Sequence, residues 1–333
     1  MSKRTIIADL SEFRLLEQIN ALIQREDKDI ILPPGDDCTA IRWPGNAVVA
    51  SSDAMVEGVH FAREWTEPED LAWKALAGAV SDLAAKGAEP VGALVTLGLM
   101  PEMEVDWILR MYRTWASLNE PWSCPILGGD TVRSPGFFVD LFVLGQPVLD
   151  APISNRFARE GDVILVTGTL GDAAAGLEIL QSKSVIHPGS SEEWVVNRFL
   201  RPVPRVSEMK RLLQAGVVPT AMTDISDGLG RSVLNLSHAS GVGAHIRADD
   251  LPISDSMRNL KGSEAQRMAW HGGEDYELLL TVPQDQVRTA LETARQIGVC
   301  LSSIGKVEGV AGDVVVDGLP DADRKPGYDH FTG

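Results

Sequence analysis

Four times this sequence runs through apolar or small residues and stops at an aspartate preceded by serine or glycine: VVASSD at Asp53, AGAVSD at Asp82, PILGGD at Asp130 and TDISD at Asp227. GDD, ending at Asp37, and Asp224 add carboxylates in similar small-residue settings. The stretch from Ala47 to Phe61 shows the pattern most fully. Its apolar start, Ala47 to Ala50, reads as a buried strand that delivers Ser51, Ser52 and Asp53 at its C-terminal end, and Gly58 then turns the chain towards His60. Acids at strand ends are where α/β proteins place their sites. Taken singly, each Asp reads better as a turn or helix-cap residue. Taken jointly, they predict a shared cleft, in which each pair of like charges ~4 Å apart costs roughly 4 kcal/mol at an effective dielectric near 20. Bound cations would make such a cleft tolerable.

The elements between these acids alternate. The spacing of Phe13, Leu16 and Ile19 predicts an opening amphipathic helix over residues 11–25, which PPGDD breaks. Thr66 with Glu69 has the form of a capping box, and Ala72, Ala75, Leu76, Ala79, Val80 and Leu83 keep the helical period until Gly87. Asp82 lies beside that apolar stripe, so its charge needs a partner. VGALVTLGL reads as a strand, Val105 to Ala116 as a second amphipathic helix, and PILGGD and FFVDLFVLG as two more strands. Alternation of this kind means a layered α/β or α+β domain.

At 333 residues the chain is long enough for two domains. The stretch 147–162, rich in Pro and charge, marks the expected boundary, with one domain over 1–148 and a second over 149–333. In the second part, DVILVTGTLGDAAAGLEIL reads as strand, glycine turn and helix. Val206 to Ala215 reads as a helix, TDISDGLGRSVLNLSHAS as a turn with a helix behind it, and AHIRAD, YELLLTV and CLSSIGKV as strands, with a helix near Gln284 to Ile297.

Lys plus Arg number 30 against 47 Asp plus Glu, a formal charge of −17, which argues against binding nucleic acid or an anionic membrane. Cys38, Cys124 and Cys300 are far apart and lack zinc-site spacing, so they read as reduced and structural. The opening MSKRTIIADLSEF has no apolar core of a signal peptide, and the apolar run at 91–100 is far short of a membrane span; the expectation is a cytoplasmic protein.

GTLGDAAAG, Gly168 to Gly176, is the obvious candidate for a nucleotide loop, but it lacks the Lys and Ser/Thr of a P-loop and reads better as a strand-to-helix joint. A chain that handles ATP without a P-loop does so mainly through metal. Phosphoryl transfer needs neutralised phosphates, an in-line acceptor and exclusion of water, and hard cations such as Mg²⁺ take the oxygen ligands that Asp and Ser supply. The absence of clustered His or Cys argues against zinc or a redox metal. RPVPR, Arg201 to Arg205, reads as a linker with two exposed cations, and GGEDYEL, Gly272 to Leu278, as either a turn with solvated acids or a site element.

Taken together, GDDC at 35–38, SSDAMVEGVHF at 51–61, SDLAAKGAEP at 81–90, GGDT at 128–131, RPVPR, ISDGL at 225–229, GGEDYEL and GYDHF at 327–331 resemble the thiamine-monophosphate kinases, nearly end to end. The resemblance implies the fold of the aminoimidazole-ribonucleotide synthetase superfamily, with an N-terminal α/β domain that forms a homodimer through its sheet and binds metal and ATP, and a C-terminal α+β domain. It implies ATP-dependent phosphorylation of thiamine monophosphate to thiamine diphosphate by direct in-line transfer, assisted by several Mg²⁺ ions and with no catalytic side chain required. Carried over, it implies Asp37, Ser51, Ser52, Asp53, Asp82, Asp130, Asp224 and Asp227 as metal ligands. Gly129, Asp130, Arg156 and Ser226 fall where the family contacts ATP, and His60, Glu274 and Tyr328 where it contacts the thiamine substrate. The family has Arg then Ser before Gly161 and Asp162, where this chain reads Asn155 and Arg156. Either Arg156 reaches the nucleotide from a shifted position or that contact is lost. The competing readings are another ATP-using member of the superfamily, a metal-dependent phosphohydrolase, and a non-catalytic acidic metal-binding protein.

Overall fold

The computed structural model describes residues 18–19, 21–22, 30–32, 40–41, 48–118 and 122–320. The chain divides into two compact units, Met1–Leu83 with Glu89–Asp150, and Ala84–Ala88 with Ala151–Gly333. Most of the expected opening helix, Asp37, Cys38 and Tyr328 lie outside the described residues.

The first unit contains a short antiparallel pair, β1 (Ile30–Leu32) and β2 (Ala40–Ile41), and a four-stranded sheet. Its strands are β3 (Val49–Val56), β4 (Ala88–Leu99), β5 (Ile126–Arg133) and β6 (Phe138–Pro147), in the order β3-β6-β4-β5. Among the described residues the helices α1 (Pro68–Ala85) and α2 (Val105–Ser117) accompany it, and residues 18–19 and 21–22 are also helical. The predicted stripe of α1 is buried as expected, but so are Lys74, Ala77 and Ser81, so α1 is a core helix and not an amphipathic one. Trp115 of α2 donates its indole N–H to the Ala72 carbonyl of α1 at 2.8 Å. The capping box does not form: the buried Thr66 hydroxyl has no hydrogen-bond partner among the described residues, and Glu67 supplies the carbonyl that accepts from Leu71. Pro68 at the first helical position needs no N–H partner and so starts the helix without that cap.

The second unit holds a six-stranded sheet ordered β12-β9-β11-β7-β10-β8. Its strands are β7 (Val163–Thr167), β8 (Ala221–Ile225), β9 (Val242–Arg247), β10 (Glu277–Val282), β11 (Leu301–Val310) and β12 (Val314–Asp317). Every neighbouring pair is antiparallel except β12 with β9. The neighbouring interior strands β7 and β10 are buried along their whole length, which is why VILVT and LLLTV read as continuous apolar runs. Among the described residues seven α-helices accompany this sheet: α3 (Asp172–Gln181), α4 (Ser191–Leu200), α5 (Val206–Gln214), α6 (Leu229–Ser240), α7 (Asp255–Lys261), α8 (Ala265–His271) and α9 (Val287–Gln296). Among the described residues no helix is long and apolar enough to cross a membrane.

Candidate functional site

The strand that carries the central motif is longer than its apolar run. Because β3 extends to Val56, Ser51, Ser52 and Asp53 lie inside it and not at its end, and their side chains alternate between faces. Ser51 and Asp53 share the face on which the cross-strand partners Val143, Leu141 and Val139 are fully buried. On that face the Ser51 hydroxyl donates to Asp82 of α1 at 2.5 Å, the partner that Asp82 required. Ser52 points the other way and donates to Asp140 of β6 at 2.7 Å. Any part Ser52 takes beside Ser51 and Asp53 must therefore come from its main chain.

Asp130 is likewise inside a strand, β5, where its carboxylate accepts from the Thr131 amide at 2.8 Å. The glycine before it is a steric requirement. Parallel pairing sets Gly129 opposite Val95 of β4, and a Cβ at Gly129 would lie 1.7 Å from the Val95 carbonyl oxygen. β3 and β5 are the two edges of the sheet, separated by β6 and β4. In the turn after β3, the Val56 amide donates to Nδ1 of His60 at 3.0 Å, which puts the proton of the neutral ring on Nε2. Buried Lys74 donates to the His60 carbonyl at 3.4 Å.

In the second unit two motifs abut backbone to backbone. The Glu274 amide donates to the Ser226 carbonyl at 2.6 Å and the Tyr276 amide to Ile225 at 2.9 Å. A Cβ at Gly273 would meet the Ser226 oxygen at 2.6 Å, so ISDGL and GGEDYEL fit together only with glycine there. This joint gathers Asp224 on β8, Ser226, Asp227 and Glu274 at one end of the β8–β10 pair. Asp224 is buried, and Ser232 of α6 donates to its carbonyl at 2.9 Å. Arg156 is exposed, with its amide bonded to the Ser154 hydroxyl.

GGEDYEL is not a solvated turn. Asp275 is 1% exposed and accepts from the amides of Gly171 at 2.7 Å and Ala173 at 3.3 Å, at the start of α3. Burial pushes its carboxyl up to about 7, against the Gly171 amide and the Arg198 charge, which pull it down. The amides with which a GTLGDAAAG loop would bind phosphate are thus already taken by an internal carboxyl, and the strand-to-helix reading of that loop holds. RPVPR needs a correction of a similar kind. Arg205 is no exposed linker cation: with Arg198 it pairs with Glu277, whose carboxylate is wholly buried, at 2.5 and 2.8 Å. Burial alone would raise the Glu277 carboxyl, but the charges of Arg205 and Arg198 and the Thr167 hydroxyl outweigh it and hold the group below its usual range. Sequence reasoning missed Asp275 and Glu277 as buried acids. The signal was present: both sit between a glycine pair and LLLTV, where the chain is entering the core.

Among the described residues no group of three or more His, Cys, Asp or Glu side chains is arranged to hold a metal ion. What the structure brings together is the pair Ser51–Asp82, with Asp53 on the same face, and separately the Asp224–Asp227–Glu274 joint. These donor sets are all oxygen, the chemistry a hard cation takes, and Mg²⁺ needs only one or two carboxylates when water and phosphate complete its shell.

Comparison with known proteins decides the family. Residues 35–146 match the AIR synthase related protein N-terminal domain and residues 159–318 its C-terminal domain. The chain is 37% identical over 329 residues to the thiamine-monophosphate kinase of Salmonella typhimurium, covering 96% of this chain and 98% of that one. It belongs to the thiamine-monophosphate kinase family. The crystal structure of thiamine-monophosphate kinase from Stenotrophomonas maltophilia K279a superposes with a TM-score of 0.81 at 35% identity, over 93% of this chain and 97% of that one. AaThiL complexed with AMPPCP and TMP superposes with a TM-score of 0.77 at 32% identity, over 97% and 98% of the two chains. The two-domain AIR synthase fold expected from the family is the fold this chain has.

Proposed function

We propose that this protein transfers the γ-phosphoryl group of ATP to thiamine monophosphate, releasing ADP and thiamine diphosphate. The observation that carries this reading is the near-full-length likeness to AaThiL, a relative solved with an ATP analogue and TMP. A terminal phosphate oxygen of the acceptor forms the new bond to Pγ while the bond to the ADP oxygen breaks, and ADP leaves with that electron pair. The acceptor is already an anion at neutral pH, so no side chain need act as general base.

Mg²⁺, when bound, neutralises the phosphates that must approach one another. In the first unit Ser51, Asp53 and Asp82 are the residues to hold it, with Asp130, Asp37 and the main chain of Ser52 as further ligands. In the second unit Asp224 and Asp227 would take the same role. Gly129 in the first unit and Ser226 and Arg156 in the second are the candidate ATP contacts. His60 offers Nε2–H as a donor to the substrate. Glu274 suits a cationic thiazolium ring by charge, and Tyr328 by its aromatic face. The reading extends to a homodimer formed through the first unit's sheet, whose face away from α1 carries Val56 and Phe142, each 38% exposed. It also places the enzyme in the cytoplasm.

The test is acceptor dependence. With ATP and Mg²⁺, ADP release must require thiamine monophosphate; release at the same rate without it would overturn the reading.

A further inference from the structure

Two residues of the GGEDYEL segment stand in a backbone region that side chains disfavour: Glu274 at φ 66° and Tyr276 at φ 52°. Such a residue persists only where its surroundings enforce it. Asp275 lies between them, and its carboxyl is tied to two amides of α3. Gly171, at φ 83°, is the cap residue that aims its amide there. On the outer sides, the amides of Glu274 and Tyr276 are tied to Ser226 and Ile225. The segment is thus pinned at three consecutive residues: by main chain at 274 and 276, and by the side chain at 275.

We propose that Asp275 is a positioning residue for the thiamine substrate: by gripping the amides of Gly171 and Ala173 it holds its neighbours Glu274 and Tyr276 in the left-handed conformation from which Glu274 is presented. The glycine turn that resembles a phosphate loop serves as the anchor for a substrate-binding acid. This rests on Glu274 contacting the substrate, so the test separates the two ideas.

The experiment is a double-mutant cycle in the full-length enzyme, assayed at pH 8 with KM determined separately for thiamine monophosphate and for ATP. Asp275→Asn keeps the shape but sets an NH₂ donor against one of the two amide donors. The expected result is a rise of about tenfold in KM for thiamine monophosphate, equivalent to losing roughly one well-made polar contact, with KM for ATP unchanged. Adding Asp275→Asn to Glu274→Ala should then raise KM no further, because the residue acts through Glu274. A role in stability alone would lower the melting temperature and leave KM for thiamine monophosphate where it was, and that result overturns the proposal. Should Asp275→Asn not fold, Asp275→Glu, which keeps the charge and lengthens the arm by one methylene, takes its place, and an unchanged KM there overturns it. If Glu274→Ala itself leaves KM unchanged, the substrate role of Glu274 fails; if Glu274→Ala raises KM and Asp275→Asn does not, the positioning role alone fails.

Discussion

Ser51 and Asp82 meet across 2.5 Å, hydroxyl to carboxylate, and so join the central motif of β3 to the core helix α1. The contact holds Asp82 on the face where Asp53 also lies. Removing one charge from this face takes away a proposed cation ligand and relieves like-charge repulsion. Asp53→Asn is therefore expected to abolish turnover while leaving the denaturation midpoint within experimental error of wild type or slightly higher. Activity near the wild-type level would remove Asp53 from the site.

Gly129 admits no side chain. With a Cβ placed 1.7 Å from a strand carbonyl that cannot swing aside, Gly129→Ala must push β5 away from β4 or distort both, at a cost of more than about 3 kcal/mol. Chemical denaturation measures this directly, and a loss under about 1 kcal/mol would show that the strands do not approach so closely.

Much of this was legible in the sequence, and the failures have a common cause. Helical and apolar periodicity located α1, α2, α9 and most strands, because burial imposes those periods. It did not show how far a strand continues into polar residues: β3 and β5 run on through SSD and GGD because cross-strand hydrogen bonds, to β6 and β4, hold them extended whatever their side chains. The helix α4 was missed although its cap is written in the sequence, with Ser190 accepting from the Glu193 amide and Glu193 from that of Gly189. Thr66 and Glu69 offered the same signature and formed no such cap, since a proline start made it unnecessary and Glu69 pairs with Arg110. Among the candidate site residues, types and motifs were readable, while the opposite facing of Ser51 and Ser52 follows from strand register, which a single sequence does not state.

Glu277 gives the acid limb of stability a predicted sign. Its folded pKa is depressed, so it contributes stability that is present above its unfolded value near 4.5 and is lost as pH falls through the folded value. Glu277→Gln should flatten the acid limb of a melting-temperature profile. At pH 7 it should be destabilised by about 3–5 kcal/mol, since Arg198 and Arg205 lose their shared partner. A variant with an unchanged acid limb would contradict this.

His245 acts in the opposite sense. Its ring bridges Asp317 of β12 and Glu308 of β11, each at 2.8 Å, and these hydrogen bonds raise its pKa above 6.5. A raised folded pKa means stability that is complete below 6.5 and is lost as pH rises through the folded value. Proton NMR titration of His245 should place its midpoint above 6.5, and His245→Gln should remove the decline in stability over that window. A midpoint at or below 6.5 would show that the bridge is absent in solution.

The central claim is that phosphate moves directly from ATP onto thiamine monophosphate. Phosphorus NMR of the enzyme with ATP, Mg²⁺ and thiamine monophosphate tests it most directly. The account predicts that ADP and thiamine diphosphate grow in together in equal amounts, with no build-up of inorganic phosphate. Inorganic phosphate appearing in step with ADP, and no thiamine diphosphate, would contradict it.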